Sequence, residues 1–127
     1  MGIVELSKTF RFEAAHCLSR VPDTHKCRAM HGHSYHVEVT VRGPLDLEAG
    51  WYRDFADISC VVKPLVQQLD HHMLNDIEGL ENPTAEMMAV WFWRRLEDDL
   101  PGLFEIDVRE TESSRCRYRG EDPANWK

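Results

Sequence analysis

The chain has 127 residues, 15 Lys+Arg against 22 Asp+Glu for a formal charge of −7, and 43% hydrophobic residues. That length suits one domain, residues 1–127, with a sizeable core, and the acidic balance argues against a general nucleic-acid binder, which needs a basic surface. With no apolar run near the roughly 20 residues of a membrane span, no signal-peptide pattern in MGIVELSKTF, and four scattered cysteines (Cys17, Cys27, Cys60, Cys116) without a CxxC pair, a reduced, cytoplasmic protein without a membrane partner is expected.

Ile3 to His16 alternates as a strand: Lys8, Phe10, Phe12, Ala14 and His16 share one parity, and Thr9, Arg11 and Glu13 the other. His16 therefore ends an apolar stripe. Cys17 to Met30 is a polar segment too long for a tight hairpin turn, and long charged loops often carry function. A second strand, about His33 to Arg42, places Tyr35, Val37, Val39 and Val41 on one side and His36, Glu38, Thr40 and Arg42 on the other. If it begins at or just before His31, His31 and His33 project to one face, because strand side chains two apart share a side. Antiparallel pairing then brings His16 to the same end of the ladder.

Gly43-Pro44 ends that strand. A helix is expected to start near Asp57 or Ser59, with Ile58, Val61, Val62, Leu65 and Leu69 as its apolar stripe, and with Pro64 kinking it or opening a new segment. It runs out at LDHHMLND. Asn82 with Pro83 at the first helical position, or Thr84, caps a second helix reaching about Asp98. Its apolar side includes Met87, Val90, Trp91 and Leu96, widened by Phe92 and Trp93. Phe104, Ile106 and Val108 alternate with Glu105, Asp107 and Arg109 in a third strand, whose apolar parity continues to Glu110. Arg115 to Arg119 form a fourth strand, and GEDPANWK is a loose tail. The order ββααββ, without GxGxxG or P-loop, reads as α+β with an antiparallel sheet.

Four constellations carry chemistry. His16, His31 and His33 would give three imidazoles with an open fourth position, the donor set of a catalytic zinc site; the competing reading is a chance cluster on a solvated strand end. Cys27 lies between Lys26 and Arg28, which favour a thiolate; it reads as a reactive thiol, a fourth metal ligand or a surface cysteine. Asp70-His71 places a carboxylate beside an imidazole, as a proton-transfer unit or as a histidine at a helix C-terminus. Glu110, a carboxylate on a buried parity, needs a partner: Arg109, Arg117, or a ligand offering paired N–H donors.

FEAAHCL, CRAMHGHSY, LDHHMLND, ENPTAE and RETESS, in that order from about Phe10 to Glu121, resemble the 6-pyruvoyltetrahydropterin synthase / 6-carboxytetrahydropterin synthase family. The three residues between Cys27 and His31, together with ENPTAE and the YRGE ending at Glu121, resemble its 6-carboxytetrahydropterin synthase branch, of queuosine biosynthesis. The resemblance implies the tunnelling fold: a four-stranded antiparallel sheet with two helices on one face, assembling into a β-barrel oligomer, usually a hexamer of two trimers with active sites between subunits. It implies zinc on His16, His31 and His33, Cys27 as general base, His71 oriented by Asp70 as its proton-transfer partner, and Glu110, with Thr84 and Thr111, contacting the pterin substrate. The implied reaction converts 7,8-dihydroneopterin triphosphate to 6-carboxy-5,6,7,8-tetrahydropterin, releasing acetaldehyde and triphosphate. Glu112-Ser113-Ser114-Arg115 departs from the branch, being more charged than its small-residue turn. The alternatives are pyruvoyl-type activity and, from another class, a non-catalytic zinc-stabilised binding protein; a zinc hydrolase with His71 as base leaves Cys27 without a role.

Overall fold

The computed structural model describes residues 2–18, 21–22, 24–25 and 29–125. Its alternating segments become four strands, β1 (Ile3–His16), β2 (His31–Pro44), β3 (Leu103–Thr111) and β4 (Ser114–Tyr118), and two helices lie between β2 and β3: α1 (Phe55–Leu69) and α2 (Ala85–Leu96). The strands form one antiparallel sheet in the order β1-β2-β3-β4. β1 and β2 pair without a break from Ile3↔Pro44 to His16↔His31. Phe10, Phe12 and Ala14 on β1, Tyr35, Val37, Val39 and Val41 on β2, and Ile106 and Val108 on β3 face one core with the helices. Lys8 shares that parity; its Nζ donates to Ser59 Oγ on α1 at 2.5 Å, which satisfies a cation on the covered face.

α1 begins at Phe55, earlier than Asp57 or Ser59, because the Asp54 carboxylate accepts from the Ala56 N–H at 2.8 Å and caps the first turn. Pro64 does not restart it: α1 runs through Pro64 from Phe55 to Leu69. Pro64 and Cys60, whose carbonyl loses its usual helical donor, are both exposed, so water can satisfy that oxygen. Of the two candidate caps for α2, Thr84 is the one used: its Oγ1 accepts from the Met87 N–H at 3.1 Å. The buried side of α2 is Met88, Ala89, Trp91, Phe92 and Leu96. Met87, in the first turn of α2, is exposed instead. α2 ends at Leu96, short of Asp98, and a 3-10 turn, Pro123–Asn125, gives order to the tail.

The last apolar residue of α1, Leu69, is fully buried, and the chain then turns back along β1. The His71 N–H donates to Glu13 O and the Ala15 N–H to His72 O, so LDHHMLND adheres to the outer edge of β1 just where His16 lies. His71 adopts φ 60, the left-handed region that a β-branched or bulky residue seldom enters.

Candidate metal centre and active site

The unbroken β1–β2 register builds the histidine cluster. His16 pairs directly with His31, and His33 stands opposite Ala14, so all three imidazoles lie on the helix-facing side at one end of the sheet. One ligand nitrogen from each falls within 4.8 Å of the others. His16 is 1% exposed. Its Nδ1–H donates to Pro83 O at 2.9 Å, and Tyr35 Oη lies 3.0 Å from the same nitrogen. His31 Nδ1–H donates to Ala29 O at 2.8 Å. Carbonyl oxygens only accept, so each neutral ring carries its proton on Nδ1 and its lone pair on Nε2. The two Nε2 atoms face each other at 2.9 Å, and His33 Nε2 is buried without a hydrogen-bond partner among the described residues.

Facing lone pairs and an orphaned ring nitrogen suit a shared cation. Burial, and then the neighbouring imidazoles, lower the pKa values of His16 and His33 below the ordinary histidine value, against which the Pro83 carbonyl raises that of His16. Both rings are thereby favoured in the neutral form that binds metal. His25 and His36 stand outside this cluster, His36 on the opposite parity of β2.

His71 Nδ1 lies 3.0 Å from Asp70 Oδ1 and its side chain is 77% exposed. The same Asp70 oxygen accepts from the Glu13 N–H at 2.9 Å. That hydrogen bond, followed by the one to His71, holds the Asp70 carboxyl below its ordinary value. His71 and His33 line one open cleft of about 740 Å³ with Ala14, Gly32 and Met30. Cys27, with Lys26 and Arg28, lies outside the described residues; Met30 follows it by three positions.

Glu110 is half-buried at the end of β3 and has no hydrogen-bond or ion-pair partner among the described residues. Arg109 and Arg117, the partners considered from sequence, are both committed to Asp107, at 3.1 and 3.2 Å. Burial raises the Glu110 carboxyl, the His31 charge opposes that, and Glu86 adds to it. Two recesses meet at Glu110: one of about 580 Å³ with Arg11, Ser34, His36 and Thr111, the other of about 450 Å³ with Glu86, Arg115 and Cys116. Thr111 is exposed, and the Thr84 hydroxyl oxygen caps α2. The fold thus assembles the three histidines, brings His71, held by Asp70, to a cleft that His33 shares, and places Glu110 at two further recesses, one of which shares Ser34 with that cleft.

Tyr35 and Glu86 were not singled out from sequence. Tyr35 shares the parity of His31 and His33, and a buried phenol needs a polar partner, which was a usable signal. Burial, then the Glu110 charge, pushes its hydroxyl far above the usual phenol range. Glu86 gave no such signal, because its neighbourhood with Glu110 depends on how α2 lies across β3.

A four-stranded antiparallel sheet backed by two helices, with a three-imidazole centre at one end, defines a tunnelling-fold enzyme domain. Comparison with known proteins narrows the class. Residues 5–121 match the family model of 6-pyruvoyl tetrahydropterin synthase. A 6-carboxy-5,6,7,8-tetrahydropterin synthase of Synechocystis sp. is 42% identical over 117 residues, spanning 87% of this chain and 89% of that protein. A dihydroneopterin monophosphate aldolase of Pyrococcus furiosus is 36% identical over 91 residues, 72% of this chain and 73% of its own. Among solved structures, 6-pyruvoyl tetrahydropterin synthase of Caenorhabditis elegans superposes with a TM-score of 0.86 at 26% identity, over 95% of this chain and 98% of that one. The chain belongs to the 6-pyruvoyl tetrahydropterin synthase family and is an enzyme, a lyase. No helix among the described residues is long and apolar enough to cross a membrane.

Proposed function

We propose that this chain is a zinc-dependent lyase that converts 7,8-dihydroneopterin triphosphate to 6-carboxy-5,6,7,8-tetrahydropterin, with release of acetaldehyde and triphosphate, in the cytoplasmic synthesis of queuosine. The observation that carries the proposal is the convergence of His16, His31 and His33, with an orphaned Nε2, in a chain 42% identical to a protein of that activity.

His16, His31 and His33 would hold the zinc, and the donors at Nδ1 of His16 and His31 present Nε2 to it. When bound, zinc supplies Lewis acidity that makes substrate protons easier to remove. Glu110, half-buried and without a side-chain partner among the described residues, accepts N–H bonds from the pterin amino group and ring, a donor pair that matches its two oxygens. Thr84 and Thr111 add hydroxyl contacts. Cys27 takes a proton as general base, its thiolate favoured by Lys26 and Arg28. His71, its Nδ1–H held by Asp70, moves a proton at Nε2.

The outer edge of β4 and the first part of β1 carry no further strand among the described residues. Open edges of this kind support joining of sheets between subunits, and the working form proposed is a homohexamer of two trimers. The short Cys27–His31 spacing favours the carboxy product over the pyruvoyl one, and the aldolase relative supports aldol cleavage of a dihydroneopterin phosphate as the second reading. Incubation of zinc-loaded protein with dihydroneopterin triphosphate and identification of products by mass separates the three. The expected result is 6-carboxytetrahydropterin with acetaldehyde; untouched substrate would leave a non-catalytic zinc protein.

A further inference from the structure

We infer that Asn75 is a positioning residue for the metal centre: its carboxamide ties the end of β1 to the loop carrying Pro83, and so keeps His16 in the tautomer that offers Nε2 to the metal. The inference rests on the zinc reading above.

Asn75 lies in the 3-10 turn Leu74–Asp76. Its Oδ1 accepts from the Cys17 N–H at 3.0 Å, while its Nδ2 donates to Cys17 O at 2.9 Å and to Glu81 O at 3.2 Å. Cys17 directly follows His16, and Glu81 precedes Pro83 by two residues. A carboxamide is the side chain that can accept once and donate twice at such short reach. Among the described residues, the hydrogen bond that joins the 81–84 loop directly to the end of β1 is His16 Nδ1–H to Pro83 O. Asn75 therefore holds the Pro83 carbonyl at its post.

That carbonyl decides the tautomer because the second group at His16 Nδ1 is ambivalent. Tyr35 Oη, 3.0 Å away, can accept from an Nδ1–H or donate to a bare Nδ1. Pro83 O can only accept. If the loop drifts, the Tyr35 hydroxyl can donate to Nδ1 and the ring proton settles on Nε2, the nitrogen required as a ligand. An imidazole whose outer hydrogen bond is lost typically binds metal 10–100-fold more weakly.

The test measures zinc affinity by chelator competition, with the His16 tautomer followed by ¹⁵N NMR in the zinc-free protein. Asn75→Ala and Asn75→Asp, the latter keeping the acceptor but losing both donors, are expected to weaken zinc binding about 10–100-fold and to raise the Nε2–H population of His16. Adding Tyr35→Phe to either should restore part of the affinity, because the group that favours the wrong tautomer is gone. Val62→Ala, in the core, should lower Tm without changing zinc affinity. If both Asn75 variants lower Tm but bind zinc as the parent does, or if Tyr35→Phe rescues nothing, the inference is overturned while the zinc reading stands. If Asn75→Ala fails to fold, Asn75→Asp alone decides. Failure of the parent to bind zinc overturns both.

Discussion

Two polar clusters interrupt the sheet, one on each face, and they differ in how far the protein satisfies them. On the face away from the helices, Asp107 is 1% exposed, yet Arg109, Arg115 and Arg117 reach its two oxygens at 3.1, 3.4 and 3.2 Å. Its hydrogen-bonding capacity is filled from within the chain. On the helix-facing side, His16, His31 and His33 bring their nitrogens together with two lone pairs opposed and one nitrogen orphaned. Buried polar groups are normally paired, so the first cluster reads as architecture and the second as a site whose partner comes from outside. Glu110, whose carboxylate has no partner among the described residues, belongs with the second.

The sharpest separation of chemistry from architecture is Cys27→Ala. Both clusters should survive it, with zinc content and assembly unchanged, while turnover falls on the order of 10²–10⁴-fold. Loss of zinc in that variant would make the thiol a ligand and break the assignment. Asp107→Asn should do the reverse. It removes a carboxylate under three guanidiniums, and because these are partly exposed the expected destabilisation is about 1–3 kcal/mol. Denaturant unfolding should show this loss, with zinc affinity unaltered; a large drop in zinc affinity would mean that the two faces are coupled.

These expectations also mark how far the sequence could be read. Period-two alternation identified which residues share a face, and an unbroken hairpin register made His16, His31 and His33 meet. Alternation does not say which side chains meet across strands. Arg109 and Arg117 looked like partners for Glu110, but the Asp107↔Arg117 register delivers Arg117 to Asp107, and Arg109, two residues along β3, shares Asp107's face. The helix-start signal of Asp54 lay in a connector with little periodicity, and the choice between Asn82 and Thr84 as the cap of α2 was one that composition left open. Likewise, Pro83 O and Tyr35 Oη reach His16 only through the tertiary path of the chain.

Two smaller effects test the unsatisfied carboxylate against the satisfied one. Burial raises the Glu110 carboxyl's pKa in the folded protein above the ordinary glutamate value. The folded state therefore binds its proton more tightly, and stability is lost as pH rises from about that value through the folded pKa. Glu110→Gln should remove this penalty, raising Tm slightly at neutral pH while abolishing pterin binding; a lower Tm would reveal a protein partner for Glu110. Asp70 shifts the other way, below the ordinary aspartate value, chiefly through the Glu13 N–H. Its contribution is complete above the unfolded value and is lost as pH falls through the folded one. Asp70→Asn should flatten that acid limb in pH-dependent unfolding, and an unchanged limb would remove Asp70 from the account.

Zinc titration of metal-free protein tests the central claim most directly, by calorimetry on the parent chain and on His33→Ala. The account predicts saturable binding of about one zinc per chain, lost or greatly weakened in His33→Ala. No saturable binding by the parent, or equal binding by the variant, would contradict it.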